Sequence, residues 1–199
     1  MIANSITLSR LPLLVLIIVL LYQPLGNWRI VAAPLILLLI ALDSVDGIVA
    51  RRLGQTSILG SVLDIAADRT VEFLLWVVFA DLGLIPIVIP LVVLTRGVFV
   101  DAIRAVAPAR GLKPFDLMRS RLGRFLVKSP WLRTPFALAK AVAFFLLALA
   151  HGLQTVGQAS ATTMLLFAQG TAWGALALCL LRGVPVLIEG PRALTDTSK

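Results

Sequence analysis

The segment DSVDGIVARRLGQTSILGSVLDIAAD, residues 43–68, places four aspartates in a chain that is otherwise strongly apolar. Asp43, Asp46, Gly47 and Ala50 are offset by three, four and seven positions, so they share one face of a helix, with Arg51 one turn beyond Gly47. Asp64 and Asp68 stand one turn apart on the following helix, and Gly60 lies one turn before Asp64. Polar and small residues from Arg52 to Ser57 make a short link between the two. Two antiparallel helices joined in this way bring both acidic pairs together near one end.

Outside this segment the composition is that of a polytopic membrane protein. The 199 residues are 59% hydrophobic and only 14% charged, and the mean hydropathy is +0.99; soluble domains do not reach these values. Since a span takes about 20 mostly apolar residues, the length allows roughly six spans with short connections and no separate soluble domain. The expected fold is all-α, a single membrane domain over residues 1–199 with six transmembrane helices and an N-terminal interfacial segment. Apolar runs place the spans near residues 8–23, 28–50, 58–80, 84–106, 134–151 and 161–187, the last extending as a longer helix. The run from Leu11 to Leu21 follows Arg10 and reaches Tyr22, Gln23 and Pro24 without a small-x-small cleavage pattern, so it reads as a retained span rather than a signal peptide.

The formal charge of +8 does not indicate nucleic acid, because the basic residues flank apolar runs and are not interleaved with exposed aromatics. Arg51, Arg52 and the link from Arg104 to Arg133 carry most of the positive charge on one side, while the other side carries little beyond Arg29 and Asp81. Positive loops stay in the cytoplasm, which places both termini and the aspartates there. Residues Pro108 to Trp131 mix basic and apolar side chains, as an interfacial helix or a solvated loop would. Asn4, Ser5, Thr7, Ser9 and Arg10 give the N-terminal segment the polar spacing of an interfacial helix entering a span.

Ionised carboxylates at membrane depth are costly, and four of them converging without cations would repel. Divalent ions neutralise them. Oxygen ligands select hard cations, so magnesium or manganese is expected and calcium fits less well; one histidine and one cysteine make zinc a poor match. Gly47, Ala50 and Gly60 leave room beside the carboxylates for a bulky group, and Arg51 offers a guanidinium suited to phosphate oxygens.

The order Asp43, two residues, Asp46-Gly47, two residues, Ala50-Arg51, eight residues, Gly60, three residues, Asp64, three residues, Asp68 resembles the signature of the CDP-alcohol phosphotransferase (CDP-alcohol phosphatidyltransferase) family, and all eight defined positions match. The likeness extends to Asn4, Thr7, Arg10 and Pro12, to the six apolar runs and to the long basic link, as in bacterial integral membrane members. It implies an enzyme of phospholipid biosynthesis in a bacterial inner or plasma membrane. Such an enzyme transfers a phosphatidyl group from CDP-diacylglycerol to an alcohol and releases CMP. By the same resemblance Asp43, Asp46, Asp64 and Asp68 hold two Mg2+ or Mn2+ ions, Asp68 takes the acceptor proton, Gly47, Ala50 and Gly60 meet the cytidine and ribose, and Arg51 meets the donor phosphates. A homodimer is the family expectation.

The acceptor is addressed by the fourth and fifth spans. Arg96 and Arg104, eight residues apart on nearly one face with Asp101 between them, suggest a phosphate-bearing acceptor and are similar to the fourth span of phosphatidylglycerophosphate synthases, which use glycerol 3-phosphate. That group often has Arg-Glu where this chain has Arg96-Gly97. It also often has Gly-Lys-x-Lys-Thr where Pro130-Trp131-Leu132-Arg133-Thr134 keeps only Arg133 and the threonine. Arg133 is a further candidate for the acceptor phosphate, and Lys140 a weaker one. Alternatives are a phosphatidylinositol phosphate synthase using inositol 1-phosphate, another acceptor such as serine, or an intramembrane ion-pair role for Arg96, Asp101 and Arg104. A small cation or proton-coupled transporter would also place acids in spans, but leaves Gly47, Ala50, Arg51 and Gly60 unexplained. His151, the four tryptophans and Cys179 read as packing or interfacial residues, and the small residues from Gly170 to Ala177 favour close helix contact.

Overall fold

The computed structural model describes residues 2–52, 58–109, 120, 123, 125 and 130–196, and within these the side chains of 7–43, 45, 59–106, 120, 123, 125 and 134–191. Six long helices and no strands occur among them: α1 (Ile2–Leu21), α2 (Gly26–Arg52), α3 (Ile58–Asp81), α4 (Val88–Ala109), α5 (Pro130–Thr155) and α6 (Ala161–Asp196). Each expected span falls on one helix. The N-terminal polar segment and the first apolar run form a single continuous helix, and α6 has 36 residues, about 54 Å of rise against a hydrocarbon core of about 30 Å. Most of the basic link lies outside the described residues, although Gly123 and Phe125 within it are helical.

Among the described residues, three stretches are long and apolar enough to cross a bilayer: Gly26–Asp43, Thr134–Thr155 and Ala161–Pro191. The described part of α1, Thr7–Leu21, is apolar but shorter. Charge sets α3 and α4 apart from these, since α3 carries Asp64, Asp68, Arg69 and Glu72 and α4 carries Arg96, Asp101 and Arg104. In a bilayer such groups are tolerated when they face protein or a polar cavity.

The described chain divides into two compact units, one of Met1–Ile87 with Ala141–Thr171 and one of Val88–Lys140 with Ala172–Lys199. In the first, α1 packs against both α2 and α3. Its buried stripe, Thr7, Arg10, Leu14, Ile17 and Leu21, steps by three and four residues, which is the period of a helix seam. Trp76 and Phe79 of α3 close on Phe144 of α5, with ring centroids 4.7 and 5.9 Å apart. Beyond α1 the chain is fastened by polar contacts. Arg29 donates from Nε to the Gln23 carbonyl at 2.5 Å and from Nη1 to Thr155 Oγ1 at 2.8 Å, and buried His151 places Nε2 3.1 Å from the Leu21 carbonyl. The Tyr22 hydroxyl donates to Asp81 at the end of α3.

Helix ends have local causes. Gly83 and Gly157 take φ of +70° and +72°, and each is followed by a bond reaching five residues back, Leu84 N–H to the Phe79 carbonyl and Gln158 N–H to the Leu153 carbonyl. This left-handed glycine cap ends α3 and α5.

In the second unit α4 and α6 run in the same direction: a Cβ on Gly183 would lie 2.2 Å from Arg96 Nε, and one on Gly190 would lie 2.5 Å from Ile103 Cγ2. Both contacts advance by seven residues, so two glycines of α6 receive two side chains of α4 in register. Small residues allow this approach where apolar burial adds little driving force between helices. Glu189, next to Gly190, accepts from the Ser120 N–H at 3.0 Å and from its hydroxyl at 2.5 Å.

Close packing in the first unit is testable at Gly152, where a Cβ would lie 2.6 Å from Ile30 Cγ1 and 2.7 Å from its backbone nitrogen. Gly152→Ala should cost about 1–3 kcal/mol through overpacking, read as a lower unfolding midpoint in detergent. Gly170→Ala, where nothing lies within 4 Å, should leave the midpoint unchanged or slightly higher.

Candidate functional site

The apolar seams of α1, α2 and α3 each end on a charge. On α1 the stripe that buries Leu21, Ile17 and Leu14 reaches Arg10. On α2 the buried Ile36 and Leu39 are followed, one turn on, by Asp43, and on α3 the buried Leu75, Val71 and Ala67 lead back to Asp64. Three helices packed along such stripes deliver these side chains to one place.

Arg10 Nη1 lies 2.6 Å from Asp43 Oδ1 and 3.8 Å from Asp64 Oδ1. The contact with Asp43 is a close ion pair. Burial is unequal: the arginine side chain is 2% exposed, while Asp43 and Asp64 are 38% and 51% exposed. The cation therefore sits beneath the carboxylates, which remain accessible from the other side. A buried guanidinium would be strongly destabilising without these partners.

Asp68, half-buried, stands one turn beyond Asp64 on α3, and Gly60, also half-buried, one turn before it. The backbone is helical through Arg52 and again from Ile58, so the spacings that place Asp43, Asp46, Gly47 and Ala50 on one face, and Gly60, Asp64 and Asp68 on another, are met. The side chains of Asp46, Gly47, Ala50 and Arg51 lie outside the described ones. Glu72, one turn past Asp68, is 3% exposed and accepts a hydrogen bond from Arg69 Nη1 at 2.9 Å. Arg10 as an ionic partner of these acids was not legible in the sequence, although it sits at helical spacing from Thr7, which was singled out there.

In the second unit Arg96 is 7% exposed, and its Nε has no hydrogen-bond partner among the described residues. Its stem passes over Gly183, whose hydrogen leaves the space that a methyl would fill. Nearby in sequence, Arg182 lies 5.6 Å from the Phe136 ring centroid, and Lys140 Nζ lies 5.1 Å from the same ring. Two cations against one aromatic ring mark this stretch as electropositive. Arg182 was missed from the sequence, yet an arginine inside a long apolar run is the signal that would have found it. Asp101 and Arg104 are half-buried, and the side chain of Arg133 lies outside the described ones.

Among the described residues no three His, Cys, Asp or Glu side chains gather into a metal cage. Asp43 and Asp64 nevertheless bring oxygen donors from two helices onto one positive charge, an arrangement whose chemistry suits a hard divalent ion. No individual curated protein matches the chain. The family model for CDP-alcohol phosphatidyltransferase matches residues 1–181, a stretch that includes the whole aspartate segment, Arg10 and Arg96. The chain thus belongs to the CDP-alcohol phosphatidyltransferase family, membrane-associated transferases that move a phosphatidyl group from a CDP-alcohol in phospholipid biosynthesis.

Proposed function

We propose that this enzyme transfers the phosphatidyl group of CDP-diacylglycerol to glycerol 3-phosphate and releases CMP, acting as one domain whose six helices all cross a bacterial inner or plasma membrane. Both termini and the site then lie on the cytoplasmic side, where the water-soluble acceptor and CMP exchange while the lipid donor stays in the bilayer. The observation that carries the reading is the gathering of Asp43 and Asp64 from two helices about a single buried cation.

Asp43, Asp46, Asp64 and Asp68 would hold two magnesium or manganese ions, which supply charge neutralisation at the donor diphosphate. Arg51 binds donor phosphate oxygens, and Gly47, Ala50 and Gly60 leave room for the cytidine and ribose. Asp68 accepts the proton of the acceptor hydroxyl as its oxygen forms a bond to the phosphatidyl phosphorus. The bond from that phosphorus to the CMP oxygen breaks, and CMP leaves with the electron pair. Arg96, Arg104 and Arg133 are proposed to meet the acceptor phosphate, with Lys140 and Arg182 adding positive potential. Arg96 supports this best, since a buried guanidinium nitrogen without a described partner suits an anionic ligand.

Purified protein given labelled CDP-diacylglycerol should release CMP only when a divalent ion and an alcohol are both present. Asp64→Asn and Asp68→Asn should each lower turnover at least about 100-fold with membrane insertion unchanged. Ion flux without CMP release would favour a transporter. Full activity in either variant would overturn the assigned roles.

An acceptor panel read by lipid mass spectrometry should give phosphatidylglycerol phosphate; product from inositol 1-phosphate or serine instead would reassign the acceptor. Gly183→Ala, which displaces Arg96, should raise KM for the phosphorylated acceptor about tenfold, the loss expected for one charged contact. KM for the donor should change little, and an unchanged acceptor KM would remove Arg96 from the acceptor site.

A further inference from the structure

Arg10 belongs to none of the roles above, yet it is the most completely buried charged side chain described and touches carboxylates of two different helices. Its place is set by packing. It occupies the same three-and-four stripe as Thr7, Leu14, Ile17 and Leu21, on the helix that packs against both α2 and α3. Its height along the seam is therefore fixed by apolar neighbours rather than by the acids. The ion pairs then fix the acids: both are reached through Oδ1, Asp43 at 2.6 Å and Asp64 at 3.8 Å, from below the exposed side of the cluster.

We infer that Arg10 is a positioning residue for the metal centre, holding Asp43 of α2 and Asp64 of α3 in register so that their accessible sides present a joined set of oxygen ligands. The inference rests on the metal-binding role proposed for those aspartates. A carboxylate has two oxygens, so an ionic contact to arginine from beneath is compatible with a cation on the opposite side. Outer partners that orient carboxylate ligands typically contribute 10–100-fold to metal affinity.

The sign of the effect separates this role from the bland one. If Arg10 were only a positive charge near a cation site, it would repel the metal, and its removal would tighten binding. If it orients the ligands, removal loosens binding although a repelling charge has gone.

The experiment is Mn2+ titration of full-length protein in lipid nanodiscs, following the electron paramagnetic resonance signal of free Mn2+, for the wild type, Arg10→Lys and Arg10→Gln. Circular dichroism and monodispersity establish that each variant is folded. The expected order of affinity is wild type, then Arg10→Lys, whose single ammonium reaches fewer carboxylate oxygens, then Arg10→Gln, about tenfold or more weaker than the wild type. Equal or tighter Mn2+ binding by folded Arg10→Gln overturns the inference and leaves the metal centre intact. If Arg10→Gln does not fold, Arg10→Lys decides, and wild-type affinity there overturns it. A wild type that binds no Mn2+ overturns the metal centre and the inference together.

Discussion

A guanidinium with 2% of its side chain exposed, set at the end of an apolar helix seam, has to be neutralised where it stands. In low dielectric the cost of an uncompensated charge exceeds the contribution of almost any single packing contact. Arg10 is compensated by Asp43 from α2 and Asp64 from α3, so the requirement of one residue on α1 brings together acids that lie on two different helices. Leu14, Ile17 and Leu21 hold the arginine at its height, and the acids follow. The charged end of the first unit is in this sense an extension of its core packing.

The same economy of charge explains which helices look least like membrane spans. Gly26–Asp43, Thr134–Thr155 and Ala161–Pro191 satisfy length and apolarity, whereas α3 and α4 hold the acids and arginines for which catalytic and binding roles are proposed. Polar groups inside a bilayer persist where another polar group, a ligand or water meets them. Arg69 with Glu72 is one such internal solution, at 2.9 Å. Arg96, stretched across Gly183 with its Nε lacking a described partner, is the contrasting case, and it is there that a ligand is proposed.

The helices were legible because apolar runs bounded by charge, glycine and proline carry the boundaries directly. The signature aspartates were legible because their three- and four-residue spacing needs only a helix to put them on one face, and α2 and α3 supply it. In the sequence Arg10 stands out only as part of a polar interfacial segment and of the family likeness, since its seam position appears only once Leu14, Ile17 and Leu21 are known to be buried. Glycine contacts were equally hidden: nothing in the sequence pairs Gly152 with Ile30 or Gly183 with Arg96, because those pairings depend on which helices become neighbours. For Arg182 the sequence does offer a sign, a lone charge in a long apolar run, but not its neighbour Phe136, which the packing alone supplies.

The central claim is that carboxylates of α2 and α3 converge on divalent cations. Anomalous diffraction from crystals of the full-length protein grown with Mn2+ and a CDP-linked donor tests it most directly. The account requires anomalous density coordinated by oxygens of Asp43, Asp46, Asp64 and Asp68, with Arg10 beneath Asp43 and Asp64. Density elsewhere in the molecule, with those carboxylates dispersed or turned toward lipid, would contradict it.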